Sequence, residues 1–218
     1  MKYNCVIFDC DGTLVDTLED IAAAMNQSLT MHGFPSVPLT DYTAMVGWGI
    51  VRLAELALPQ EARSNEIIQA VAADAVNIYN EQPLVKTKPY AGMRELLTEL
   101  KSRKIRTAVL SNKPEPVLIQ VIEGLFPAGV FNVIRGERPG EPRKPDPTLV
   151  WDILTEIDRS PHNTLFAGDS EIDMESASNA GCYPLGVSWG FRPRSVLENS
   201  GAAHIIDRPG ELVKLLDK

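Results

Sequence analysis

Asp9 and Asp11 stand one residue apart in CVIFDCDGTL (residues 5–14), directly behind a run of four apolar residues. Side chains alternate along a strand, so the two carboxylates point the same way while Cys10 turns aside. Gly12 permits a tight turn after them, and the Thr13 hydroxyl can bond back to hold it. Two like charges this close repel, so a cation or a proton has to be shared. Asp169 stands just beyond another apolar run, 164–167, and Asp173 lies four residues on, on the same face of a helix starting near Ser170. An oxygen-rich cluster of this type suits Mg²⁺, a hard cation that keeps several waters and takes only a few carboxylates. The four aspartates carry −4, against +3 from Mg²⁺ and Lys144, which sits in the loop PRKPDP (142–147). At about 4 Å and an effective dielectric near 20, each charge pair is worth roughly 4 kcal/mol. Both cations are therefore needed before a phosphate dianion can approach Asp9.

These residues need a scaffold that brings distant stretches together. Short apolar or β-branched runs occur at 5–8, 105–110, 130–134, 164–167, 183–187 and 204–206. Helix-spaced stripes lie between most of them: Met93, Leu96, Leu97 and Leu100; Val117, Leu118, Val121, Ile122 and Leu125; Leu149, Val150, Ile153, Leu154 and Ile157. The alternation predicts an α/β fold, a doubly wound and mostly parallel sheet of Rossmann-like type. Residues 16–83 break it with three helical patterns and no strand, which predicts a small α-helical cap inserted after the first strand. The core then comprises 1–15 and 84–218. In such sheets ligands sit beyond the carboxyl ends of the strands. The residues there are Asp9-Cys10-Asp11, Ser111-Asn112-Lys113 and Gly168-Asp169-Ser170.

Composition narrows the class. The chain has 218 residues, 44% hydrophobic and 23% charged, with a net charge of −8 and no basic block. That argues against nucleic acid or an anionic membrane as partner. Three cysteines without C-x-x-C argue against a disulfide framework or zinc site and fit a reducing cytoplasm. The first apolar run is too short for a signal peptide, and no run approaches a membrane span. His32, His162 and His204 stand outside every cluster.

FDCDGTL, LSN ending at Asn112, KPDP and GDSEID match, in order, the four motifs of the haloacid-dehalogenase-like hydrolase superfamily, which the whole chain resembles. VGWGI, SNKP and the closing GVSWGF…ENSGAAHIID…P-x-ELV look most similar to its phosphoglycolate-phosphatase-like members. The resemblance implies a Mg²⁺-dependent phosphatase of a small phosphorylated metabolite. Asp9 would be the nucleophile that forms an aspartyl-phosphate, and Asp11 the general acid and then base. Ser111, with Asn112, would hydrogen-bond the phosphoryl oxygens, and Lys144 would hold Asp9 and the phosphoryl group. Asp9, the Asp11 main-chain carbonyl and Asp169 would ligate the metal, with Asp173 a ligand or an anchor. Dehalogenating relatives lack an acid two residues past the nucleophile, so Asp11 favours phosphate esters.

Other readings stay open at this level. Gly47-Trp48-Gly49 either presents amides to a substrate anion or is a tight helix connection. Arg52, one turn on, either reaches the substrate or stands in solvent. A phosphosugar mutase or a pyrophosphatase would use the same scaffold, and a phospho-accepting signalling receiver also combines strand-end acids, Mg²⁺ and a lysine. Substrate identity and oligomeric state are not legible.

Overall fold

The computed structural model describes residues 2–216. The chain runs β1 (Cys5–Phe8), β2 (Val15–Asp16), α1 (Leu18–Met31), α2 (Leu39–Met45), α3 (Ile50–Ala57), α4 (Asn65–Glu81) and β3 (Lys88–Pro89). It continues α5 (Met93–Ser102), β4 (Arg106–Pro114), α6 (Glu115–Leu125), β5 (Val133–Glu137), α7 (Thr148–Glu156) and β6 (Thr164–Gly168). α8 (Glu171–Ala180), β7 (Tyr183–Val187), α9 (Arg194–Asn199) and β8 (His204–Ile206) follow.

Six strands form one parallel sheet in the order β5-β4-β1-β6-β7-β8. β1 lies at its centre, between β4 and β6, where the strand order reverses and a crevice opens at the carboxyl ends. All four β1 side chains are buried, as a strand covered on both faces requires. Cys5 and Ile7 join the core beneath α7 and α8, whereas Val6, Phe8 and Cys10 join the core on the opposite face. The apolar stripe of α5, Met93, Leu96, Leu97 and Leu100, is likewise buried. Each such side chain contributes on the order of 1.5–3 kcal/mol by leaving water.

The helices α1–α4 form an insert between β2 and β3, in which α4 packs against α1 and α3. The two connections to the sheet pair with each other, Val15 with Pro89 and Asp16 with Lys88, antiparallel. One buried acid ties this junction. Asp20, in the first turn of α1, accepts hydrogen bonds from Lys86 N, Thr87 N and the Thr87 hydroxyl at 2.7–3.0 Å. Those donors offset the burial of its carboxylate.

Several elements depart from the sequence reading, among them the short strands β2 and β3 and the helix α9. α2 is an additional helix with Tyr42 as its only buried residue, so it carries no apolar stripe to announce it. β4 runs through Ser111–Lys113 to Pro114, with a register shift after Leu110. β5 begins three residues later than the apolar run at 130–134, because Asn132 closes its start: Thr107 N donates to Asn132 Oδ1 and Asn132 N to Thr107 O.

Candidate active site

The sheet's central crevice gathers Asp9 and Asp11 after β1, Ser111–Lys113 at the end of β4, Lys144 before α7, Asp169 after β6 and Asp173 in α8. Asp9 continues the odd positions of β1 and so meets the loop and helix that cover that face. Lys144 Nζ donates to Asp9 Oδ1 and to Asp173 Oδ1, both at 2.7 Å, and all three side chains are buried. The carboxylates of Asp9, Asp169 and Asp173 lie close enough for one oxygen from each to fall within 4.8 Å of the others.

Local structure fixes each acid. Asp169 accepts from the Thr13 hydroxyl (3.1 Å) and Phe191 N (2.7 Å). Gly12 has φ +83°, and a Cβ there would overlap the Asp169 carboxylate, so only glycine admits this approach. Asp173 completes a capping box with Ser170 at the start of α8, accepting from Ser170 N and Oγ on Oδ2 while Oδ1 takes Lys144. Burial pushes the Asp9 carboxyl up to about 7; Lys144 pulls it down, and Asp173 and Asp11 push it further up. Burial, then Asp173 and Asp9, raise Asp169 well above the usual carboxylate range. Burial opposes the Lys144 charge, but Asp173 and Asp9 outweigh it and hold the ammonium above the ordinary lysine range.

Three aspartates and one lysine leave this cluster at −2 when all are ionised. A divalent cation removes that deficit, and the all-oxygen donor set suits Mg²⁺. The residues therefore fit the metal.

The Asp11 side chain stays out of this cluster. It accepts from the Thr17 hydroxyl (2.7 Å) and from Lys113 Nζ (2.8 and 3.1 Å). Any contact of Asp11 with the metal therefore falls to its main-chain carbonyl. Lys113, 2% exposed along its side chain, is a site residue that the sequence reading places at a strand end without giving it a role. Its signal was available: strand alternation from Ser111 sends Lys113 to the same side. Its ammonium also lies 4.3 Å from the centroid of the Tyr79 ring, contributed by α4 of the insert.

Ser111 lines the crevice, its Oγ accepting from Lys113 N at 3.3 Å. Asn112 clamps the Lys144 main chain, accepting from Lys144 N and donating to Lys144 O. Its other amide hydrogen goes to Gly47 O of the insert (3.1 Å), so both side-chain donors are spent on carbonyls, leaving none for a phosphoryl oxygen. Gly47 and Gly49 border the crevice. Trp48 instead donates to Glu171 (3.2 Å), and Arg52 pairs with Glu55 (2.6 Å) with half its side chain in solvent. Neither of these two reaches the cavity.

A second arginine takes a place that nothing nearby in sequence signals. Arg192, buried after β7, donates to Thr43 O, Val46 O (2.8 Å) and Glu171 (3.1 Å). It grips the end of α2, so Arg192, Glu171 and Asn112 hold the segment 43–48 over the strand ends. Beneath lies a cavity of about 50 Å³. Asp9, Asp11, Ser111 and Lys113 line it on the sheet side, and Ile21, Met25, Val46, Ile50, Leu53 and Tyr79 on the insert side.

Comparison with known proteins shows the family to which this fold belongs. Residues 6–187 match the model of the family described as haloacid dehalogenase-like hydrolase. A phosphoglycolate phosphatase of Aquifex aeolicus is 32% identical over 97% of this chain and 96% of its own. An N-acetylmuramic acid 6-phosphate phosphatase of Pseudomonas aeruginosa is 29% identical over 100% of this chain and 96% of its own. A crystal structure from Lactobacillus delbrueckii subsp. bulgaricus, assigned provisionally as a phosphoglycolate phosphatase, superposes with a TM-score of 0.92 at 28% identity, covering 99% of each chain.

Proposed function

We infer the reaction from one premise: the chain belongs to the haloacid dehalogenase-like hydrolases and is a phosphatase of that family. We propose that it hydrolyses a small organic phosphate monoester, phosphoglycolate-like in size, with Mg²⁺ and through an aspartyl-phosphate. The observation that carries this reading is the buried cluster of Asp9, Asp169 and Asp173 around Lys144, short of two positive charges.

An Asp9 carboxylate oxygen attacks phosphorus in line, forming the O–P bond of the aspartyl-phosphate as the ester P–O bond breaks. Asp11 gives its proton to the departing alkoxide. Water then attacks phosphorus, Asp11 takes its proton, the acyl phosphate P–O bond breaks, and Asp9 is restored with release of inorganic phosphate. Ser111 donates its hydroxyl to a phosphoryl oxygen. Lys144 holds the Asp9 carboxylate in place and offsets the charge that develops on the phosphoryl group. Asp9, Asp169 and the Asp11 main-chain carbonyl would hold Mg²⁺, with Asp173 as anchor. When bound, the ion supplies charge neutralisation to the phosphoryl oxygens. The insert, residues 16–83, serves as a cap that excludes bulk water and meets the leaving group.

Cavity size supports a compact ester. The cavity of about 50 Å³, against roughly 10–15 Å³ for one water, takes a leaving group of a few heavy atoms. A sugar such as N-acetylmuramic acid would need the cap to lift further. The free, buried state of Cys5, Cys10 and Cys182 supports a reducing, cytoplasmic setting. Phosphate release with Mg²⁺ across phosphoglycolate, sugar phosphates, nucleoside monophosphates and pyrophosphate tests the reading. Turnover is expected to be greatest on the smallest esters and abolished by Asp9→Asn in a protein that still folds. Near-normal turnover by that variant would reject Asp9 as nucleophile.

A further inference from the structure

The buried side-chain polar atoms left without a hydrogen-bond partner, among the described residues, are Tyr79 Oη, Glu137 Oε2 and Arg159 Nε. Of the three residues, Tyr79 is the one that lines the cavity over Asp9 and Asp11. Leaving a hydroxyl out of water without a partner is costly, and native structures seldom tolerate it without a reason. Tyr79 is 6% exposed, and burial pushes its hydroxyl up to about 12 against the opposing influence of Lys113. The hydroxyl therefore stays a neutral donor. The Lys113 ammonium lies 4.3 Å from the centroid of the Tyr79 ring and makes two contacts to the Asp11 carboxylate. With three N–H groups, it keeps one for another acceptor.

Around these two groups the insert wall is apolar: Ile21, Met25, Val46, Ile50 and Leu53. The arginine nearest in sequence, Arg52, is turned to Glu55, and Arg192 is spent on Glu171 and two carbonyls. A wall of this kind can recognise one oxygen and little else. We propose that Tyr79, together with the remaining N–H of Lys113, is the specificity determinant of the phosphatase, receiving one acceptor oxygen on the leaving group. The selected substrates are compact phosphate esters carrying a carboxylate or hydroxyl oxygen close to the ester bond, in preference to plain alkyl phosphates. The inference rests on the phosphatase reading above.

The test compares phosphoglycolate, 2-hydroxyethyl phosphate and ethyl phosphate, which share a two-carbon skeleton and differ in the terminal oxygen. Tyr79→Phe removes only the unpaired oxygen. The expected result is a fall of about tenfold in the ratio of kcat/KM for the two oxygen-bearing esters over ethyl phosphate. The melting temperature should stay level or rise, because a buried, unsatisfied group has gone. A hydroxyl with a structural role would instead lower the melting temperature and leave the ratio alone, and an unchanged ratio rejects the assignment of Tyr79. If the parent protein releases phosphate from none of the three esters or the wider panel, the phosphatase reading fails and the inference falls with it.

Discussion

Replacing Lys144 with methionine keeps the length of the side chain and removes its charge, which makes it the sharpest probe of the site. In the native cluster the ammonium sits 2.7 Å from both Asp9 and Asp173 and is 3% exposed. Its removal takes the cluster from −2 to −3 when all acids are ionised, and no other cation bonds to these three carboxylates among the described residues. Breaking a buried pair by deleting one partner costs about 3–5 kcal/mol. In a chain of this size each kcal/mol moves the melting point by about 2–4 °C, so a fall of about 6–20 °C is expected. The measurement is thermal unfolding at pH 8, in chelator and again in excess Mg²⁺. With the metal bound, the variant's cluster stands at −1 instead of −3, so Mg²⁺ should recover much of the lost stability. Activity should stay low, about 10²–10³-fold down, because the metal cannot replace a donor aimed at the phosphoryl group. A melting point in chelator within 2 °C of the parent's would refute the electrostatic account (roughly 1 kcal/mol or less). So would a loss of equal size with and without Mg²⁺.

Two further outcomes follow from neighbouring contacts. Arg192→Ala strands the Thr43 and Val46 carbonyls and the Glu171 carboxylate, so stability should fall by about 2 kcal/mol. Proteolytic cleavage within 39–49 should rise; cleavage and melting unchanged from the parent would mean that Arg192 does not hold the insert. The pH dependence of the metal-free protein has an unusual sign. Burial raises Asp9 to about 7, above the ~3.9 of an unfolded aspartate. Between those values the native state holds a proton that the unfolded chain has lost, so this contribution to stability fades as pH rises. Denaturant titrations in chelator should give lower stability at pH 8 than at pH 5, and Mg²⁺ should close the gap at pH 8. Metal-free stability that climbs across this window would contradict the assignment.

Much of the site was legible because strand periodicity and strand ends are local signals. The spacing of Asp9 and Asp11 and the run before them were sufficient to place both acids at the crevice, and Lys144 and Asp173 meet Asp9 there. What escaped depends on distance in space. Arg192 lies in a loop beyond β7 and finds its partners 146 and 149 residues away. Asp20 reads as an ordinary acid in a first helical turn until Lys86 and Thr87 are brought to it. The end of β5 was missed because Arg135-Gly136-Glu137 is polar, and an edge strand can be polar without penalty. Tyr79 reads from the sequence as one more apolar position on α4, since helix spacing places the ring without saying whether its hydroxyl finds a partner.

The separation of charge within the crevice bears directly on how one pair of aspartates can serve two purposes. Counted from the sequence, four acids shared Mg²⁺ and a single lysine. In the folded chain the count divides: Lys113 and Thr17 occupy the Asp11 carboxylate, while Lys144 serves Asp9 and Asp173. Were the Asp11 side chain turned into the acidic cluster, it would face the metal site and not the cavity that it lines. Giving it a separate partner keeps that carboxylate at the cavity wall, where a leaving oxygen has to pass. Gly12 contributes to this division, because its left-handed backbone lets the Asp169 carboxylate lie against the main chain directly after Asp11. The third acid thus enters the cluster from beneath the turn, and the Asp11 side chain is left free to face Lys113.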